Sequence, residues 1–279
     1  MSNIKLCAFA DESSPLIDGQ IDALKRNSIE YLEIRNVDGD NISLISEQKA
    51  KSVFEKLNNN GIKVWSMGSP FGKIKITEGF TPHLDLFKRN LENAAILDAK
   101  CMRMFSFFTN EHTDAIRDEV MERLSRFVEA SKGYDITLCH ENEKGIYGDT
   151  ADKCLEIHKA FPEIKCVFDS ANYIQCGQDI TAAWNMLKDY LHYIHVKDAK
   201  ADGTIVPAGV GIGQYPLIAK EYSNMGGGVM TLEPHLKTFD GLAALEADEK
   251  TNIDDVTYKT NEEAFDTAAR AIQGIINTL

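Results

Sequence analysis

The six cysteines, Cys7, Cys101, Cys139, Cys154, Cys166 and Cys176, include no C-x-x-C pair. No apolar run approaches the roughly 18 residues that a membrane span needs. Met1-Ser2-Asn3-Ile4-Lys5 lacks the charged region and apolar stretch of a secretory signal. There is no linker, internal repeat or low-complexity tract. Basic residues are few for the acidic ones, 30 against 43, for a formal net charge of −13. That balance argues against extended binding to nucleic acid or anionic membranes, though it leaves room for a small anionic substrate. Cys7, Cys101, Cys139 and Cys166 fall inside apolar runs, where reduced, buried thiols are expected. Together these absences point to a cytoplasmic protein with no membrane or nucleic-acid partner.

Hydrophobic residues make up 43% and charged residues 26% of the 279 positions, enough apolar surface for one large core. Eight short apolar runs recur: Ile4–Phe9, Tyr31–Val37, Lys63–Met67, Cys101–Phe107, Ile136–His140, Lys165–Phe168, Leu191–Val196 and Gly228–Leu232. Most are continuously apolar, as in parallel strands covered on both faces. Helical spacing of three and four lies between them, as at Ile17, Ile21 and Leu24; at Leu84, Phe87, Leu91 and Ala94; at Ile116, Val120, Leu124, Phe127 and Val128; and at Ala264, Ala268, Ile272, Ile275 and Ile276. Eight strand–helix units close a parallel barrel. An open doubly wound sheet would want glycines straight after the first strand. That turn instead reads Phe9-Ala10-Asp11-Glu12-Ser13-Ser14-Pro15. The expectation is one α/β domain over residues 1–279, a single (β/α)8 TIM barrel. The long acidic segment 237–259, with Glu246, Asp248, Glu249, Asp254 and Asp255, reads as a solvated excursion or a lid.

In such a barrel the chemistry sits where strands pass into the following loops. Strand five is followed by His140-Glu141-Asn142-Glu143, strand six by Asp169-Ser170-Ala171-Asn172; strand seven ends His195-Val196-Lys197-Asp198, and strand eight Leu232-Glu233-Pro234-His235. Glu141, Asp169 and Glu233 together would repel one another. A divalent cation relieves that, with His195 as a fourth ligand; three oxygens and one imidazole nitrogen suit Mn²⁺, Zn²⁺, Co²⁺ or Mg²⁺. Taken singly, each could instead be an N-cap or half of a salt bridge.

Phe168-Asp169-Ser170-Ala171-Asn172, His195-Val196-Lys197-Asp198-Ala199 and Leu232-Glu233-Pro234-His235-Leu236 resemble the xylose isomerase-like TIM barrels, within them the sugar phosphate isomerase/epimerase group. Met102–Phe108 and Gly68–Lys73 add to the likeness, which spans strands three to eight. The resemblance implies one divalent metal, manganese first, on Glu141, Asp169, His195 and Glu233. It also implies that Glu141 and Glu233 take and return a proton next to a substrate carbonyl. Two departures stand out. Ketose 3-epimerases carry a substrate-binding His where this chain has Asn172, and an Arg shortly after the metal His, where Lys197 is the nearest cation. The AP endonuclease branch adds an Asp-x-His that Ile205-Val206-Pro207-Ala208-Gly209 does not supply, and histidines after earlier strands, where Ser66 and Ser106 stand; a nuclease is therefore not expected.

The expected function is a metal-dependent sugar isomerase or epimerase. The rivals are a lyase that dehydrates a keto-polyol or cyclic hydroxy acid, and a catalytically silent sugar-binding barrel. Substrate contacts are assigned to Lys197, His235, Asn172, Glu143, Arg103 and Lys73. Lys197 could instead pair with Asp198 or Glu233, and Lys73, with Lys75, could be a solvated basic loop. Glu33 and Arg35 read as an ion pair at the barrel mouth, with Glu33 a partner for Arg103. His140 should face the helices, while Trp65 and Phe71 are packing residues or an apolar wall. Gly209-Val210-Gly211-Ile212-Gly213 does not open a helix directly from a strand and is not read as a dinucleotide site. Homo-oligomerisation through the outer helices is a further expectation.

Overall fold

A computed structural model of the chain describes residues 3–245, 250–254 and 256–279. Eight parallel strands close a barrel: β1 (Ile4–Ala8), β2 (Tyr31–Ile34), β3 (Lys63–Met67), β4 (Cys101–Met104), β5 (Thr137–Glu141), β6 (Lys165–Asp169), β7 (Leu191–Val196) and β8 (Gly228–Leu232). Each pairs with its sequence neighbours, and β1 closes on β8 with Ile4 opposite Gly228 and Ala8 opposite Leu232. The TIM barrel expected from the sequence is the fold observed.

The main helices are α1 (Ile17–Arg26), α2 (Glu47–Asn59), α3 (Phe80–Ile96), α4 (Asp114–Ser131), α5 (Ala151–Ala160), α6 (Ser170–Gln175), α7 (Ile180–Leu187), α8 (Tyr215–Asn224), α9 (Leu242–Leu245) and α10 (Asn261–Ile276). Their starts are set by side-chain caps: Ser46 on α2, Thr113 on α4, Asp179 on α7 and Thr260 on α10 each accept a backbone N–H of the first turn. The apolar stripes meet the strands, with Leu84, Phe87, Leu91 and Ala94 of α3 buried and Ala264, Ala268 and Ile272 of α10 likewise. No described helix is long and apolar enough to cross a membrane.

Two strands end earlier than their apolar runs. In the second run, Asn36–Val37 leaves the barrel to form a two-stranded ribbon with Asp40–Asn41. In the fourth, the backbone of Phe105 and Phe107 donates to Phe71 and Gly72 instead of to a neighbouring strand. Phe107 stays apolar because it serves the core, packing on Phe80 and Phe127 in one aromatic cluster with Phe71 and Phe87. Phe71 is therefore packing, and Trp65 lies towards the amino end of the barrel, away from the pocket. Of the 237–259 segment, Phe239 and Leu242 are buried and Thr251 lines the central cavity. Asp254 accepts the Thr257 hydroxyl at 2.7 Å. Glu246, Asp248, Glu249 and Asp255 lie outside the described residues.

Candidate active site

Glu141 is the last residue of β5, Asp169 the last of β6, His195 the penultimate of β7, and Glu233 follows β8 directly. Backbone pairing sets Asp169 beside His195, and His195 beside Thr231. One potential ligand atom from each of the four residues lies within 4.8 Å of all the others. All are buried, Asp169 and His195 completely. His195 Nδ1 lies 2.8 Å from Glu141 Oε1 and 3.6 Å from Glu233 Oε2. Asp169 is also the N-cap of α6: its Oδ1 accepts the Asn172 N–H at 2.9 Å. The cap uses only one of its oxygens. Asp169 Oδ2 and Glu141 Oε2 accept no hydrogen bond, an uncommon state for buried carboxylate oxygens.

Cations stand against these oxygens. Lys197 Nζ is 3.0 Å from Asp169 Oδ2 and 3.0 Å from Glu233 Oε2, and Arg103 Nη1 is 3.2 Å from Glu141 Oε2. Lys197 thus pairs with Glu233 but not with Asp198. The Asp198 carboxylate accepts the backbone N–H groups of Gly209, Gly211 and Gly213, and so shapes the glycine loop after β7.

The expected Glu33–Arg35 pair does not form. Arg35 lies past the end of β2, where its guanidinium turns to Asp11, Glu12 and Glu233 at 2.9–3.1 Å. Glu33 points inward instead, accepting the Tyr193 hydroxyl at 2.8 Å and standing 3.1 Å from His195 Nε2. Arg103 takes Glu141 rather than Glu33 as its close partner. His235 pairs with Glu12 at 3.0 Å. Lys73 pairs with Glu143 at 2.9 Å and sits over the Phe105 ring. Asn172 Nδ2 donates to the Asn142 carbonyl at 2.8 Å. His140 faces Ser106 and His158 behind the barrel wall, as expected.

Asp11, Glu12, Glu33, Glu141, Asp169 and Glu233 are six buried carboxylates around this centre, against the buried cations Arg35, Arg103 and Lys197 and the His195 imidazolium. The surplus of negative charge shows in the proton affinities. Burial raises the Asp169 pKa to about 7, with Lys197 opposing and Glu233 and Glu141 adding to the rise. Burial alone would discharge His195, yet Glu141 and Glu33 outweigh it and raise its pKa to about 10. Glu233 is held well below the usual range, because Lys197, His235, His195 and Arg35 together overcome burial. Glu143, also against burial, is lowered to about 2 by Lys73 and Lys197. A divalent cation fits such a set: it would neutralise the surplus and bind Asp169 Oδ2 and Glu141 Oε2, the oxygens that face Lys197 and Arg103.

A cavity of about 720 Å³ opens above the cluster, within the usual size for a small-molecule site. Glu141 and Glu233 line it, as do Lys197, His235, Asn172, Glu143, Arg103 and Lys73, whereas Asp169 and His195 lie beneath. The structure thus brings together all ten residues that the sequence singled out. It adds Asp11, Glu12 and Tyr193, which no spacing in the sequence marked; the acidic pair directly after β1 was the available signal.

The profile of the xylose isomerase-like TIM barrel family matches residues 21–256. Among curated proteins, none matches the sequence. Solved structures do. The IolI protein with a bound zinc atom is 18% identical at a TM-score of 0.73, covering 98% of each chain. The probable 3-DHS dehydratase AsbF of Bacillus anthracis is 14% identical at a TM-score of 0.73, covering 98% of this chain and 99% of its own. D-psicose 3-epimerase from Clostridium cellulolyticum H10, solved with D-tagatose, is 12% identical at a TM-score of 0.73, again covering 98% and 99%. At such identities the likeness is one of fold. The family match covers most of the sequence, and the chain belongs to the xylose isomerase-like TIM barrel family.

Proposed function

We propose that the protein is a divalent-metal-dependent isomerase or epimerase of a sugar or sugar derivative. The observation that carries this reading is the convergence of Glu141, Asp169, His195 and Glu233 within 4.8 Å at the floor of a cavity. In it, these four residues hold one ion, with Mn²⁺ the best fit to three hard oxygens and one nitrogen, and Zn²⁺, Co²⁺ and Mg²⁺ the other choices. When bound, the ion supplies Lewis-acid polarisation of a carbonyl next to the carbon that loses its proton.

The protein side chains do the rest. Glu233, kept ionised by Lys197 and its neighbours, accepts a proton from the carbon beside the carbonyl, and Glu141 delivers one back. Lys197 and Arg103 donate to substrate oxygens, while His235 and Glu143 orient the hydroxyl groups. Thr251, in the long segment after β8, forms part of the cavity wall. The cytoplasm is the fitting location, given the six free thiols.

One observation favours dehydration as a second reading. Asn172, where ketose 3-epimerases carry a substrate-binding His, spends its amide on the Asn142 carbonyl. The same base would then remove the proton, and a hydroxyl group would leave. Incubation of a panel of ketoses and keto-sugars in deuterated water, followed by NMR, decides between them. Deuterium at the carbon next to the carbonyl supports epimerisation or isomerisation, an ultraviolet-absorbing enone supports the lyase, and neither across the panel would sink both.

A further inference from the structure

A second cluster of metal-binding atoms lies at the opposite end of the barrel. Cys101, the first residue of β4, Cys139 of β5 and His192, the second residue of β7, each offer one ligand atom, all within 4.8 Å of one another. Both cysteines are fully buried and reduced, in a small apolar group with Cys7, Val167, Tyr193 and Val229.

The position of His192 is the informative part. Along β7, Tyr193 and His195 already point into the barrel, so simple alternation would turn His192 outward to the helices. The pairing between β6 and β7 slips here: Cys166 faces Leu191, Val167 faces Tyr193, and His192 is left as the extra residue of a bulge. A bulge re-aims the side chain that it carries. His192 stacks on Trp65, with ring centroids 5.4 Å apart and planes 17° apart. Trp65 is itself the extra residue where β3 slips against β2, between Val64 and Ser66. Two irregularities on opposite sides of the barrel, at β2–β3 and at β6–β7, thus bring an imidazole and its stacking partner together across its amino end.

The polar atoms there are incompletely used. His192 Nε2 is buried and has no hydrogen-bond partner, a rare state for a ring nitrogen inside a fold. The Cys101 thiol donates to the Trp65 carbonyl at 3.5 Å and the Cys139 thiol to the Thr137 carbonyl at 3.7 Å. Both are weak bonds that leave the sulfur lone pairs available.

We propose that Cys101, Cys139 and His192 form a structural site for a soft d10 cation, Zn²⁺ or Cu⁺, separate from the oxygen-rich centre above it. Two sulfurs and one imidazole nitrogen select such ions over the hard cations that suit Glu141, Asp169 and Glu233. On binding, two S–H bonds break and two metal–sulfur bonds form, and the two protons pass to solvent. Three ligands complete a trigonal Cu⁺ site, whereas Zn²⁺ takes a water as its fourth. The ion would tie β4, β5 and β7 together at the end remote from the catalytic loops.

The test is a titration of the whole, reduced, metal-free protein with Cd²⁺ under anaerobic conditions, read by thiolate-to-cadmium charge-transfer absorption. The oxygen-rich centre has no sulfur and cannot give that band. The first two equivalents are expected to produce it in the wild type, where the oxygen-rich centre competes, and the first equivalent in Glu141→Ala. It should vanish in Cys101→Ser and in Cys139→Ser, and move to higher cadmium concentration in His192→Gln. Cys7→Ser, in the same apolar group, should keep it, which controls for a disturbed core. Zn²⁺ that displaces Cd²⁺ would identify the zinc form, and displacement by Cu⁺ alone the copper form. Absence of the band in the wild type, its survival in Cys101→Ser, or its loss in Cys7→Ser would overturn the assignment.

Discussion

His195 Nε2 lies 3.1 Å from a carboxylate oxygen of Glu33, and its other ring nitrogen, Nδ1, faces Glu141 at 2.8 Å. Glu33 therefore fixes which nitrogen of the imidazole is turned toward the acidic cluster, the task of an outer carboxylate in a histidine metal site. Glu33→Gln is expected to keep the fold but to weaken metal binding, by about 10–100-fold if it behaves as such outer partners do. A fluorescent-chelator competition assay measures this, and unchanged affinity would count against the role.

The two glutamates that reach the cavity should be the ones that chemistry needs. Glu141→Gln and Glu233→Gln are each expected to lower proton exchange on an accepted substrate by about 10²–10⁴-fold, the usual worth of a positioned acid or base. Rates followed by NMR in deuterated water give the answer. Loss on substitution of only one of them would assign proton transfer to that residue and leave the other as a ligand alone.

Stability of the metal-free protein should fall in mild acid. Burial lowers the pKa of His83 and of His158 to about 4, and holds His140 well below the usual range. His83 Nε2 accepts the Gly72 N–H at 2.8 Å, which requires an unprotonated nitrogen there. Between pH 6.5 and about 4 the unfolded chain binds protons that these folded histidines refuse, so stability drops as pH falls through that window. Asp169, raised to about 7, works in the opposite sense, and so does His195, raised to about 10, although His195 gains stability only as pH falls to about 6.5 and adds nothing further below it. Urea midpoints at pH 6, 5.5 and 5, below the range in which His195 acts, should decrease in that order; a flat series would contradict the burial of neutral imidazoles.

Gly72 introduces the loop that carries Lys73. Its φ is +90°, and a Cβ added there would lie 2.0 Å from the Phe105 carbonyl oxygen. Gly72→Ala should cost about 1–3 kcal/mol from the backbone conformation alone, with the clash adding to it. Thermal unfolding reads the loss, and a variant as stable as the wild type would mean that the loop has another conformation.

The barrel and the four central residues were legible for one reason. Strands covered on both faces appear as continuous apolar runs, so a charged residue directly after such a run sits at the carboxyl end of the barrel. Glu141, Asp169 and Glu233 are legible in this way, and His195 as the one ionisable residue near the end of the run Leu191–Val196. What the sequence concealed depends on neighbours distant in the chain. Glu33 and Arg35 share strand parity, but Arg35 lies beyond the end of β2 and reaches across to Asp11 and Glu12. Trp65 and His192 face inward only because the pairing slips beside them, and register is not written in either strand alone. Asp169 shows that two readings of one residue can both hold, since one oxygen caps α6 and the other faces the site.

In the proposed function, Glu141, Asp169, His195 and Glu233 together hold one ion. Protein stripped with chelator, reconstituted separately with Mn²⁺, Co²⁺, Mg²⁺ and Zn²⁺ and freed of excess metal, would be assayed by mass spectrometry beside Glu141→Ala. With Mn²⁺ foremost, the wild type is expected to retain one more equivalent per chain than the variant. Equal metal content in the two proteins with all of these ions would contradict it.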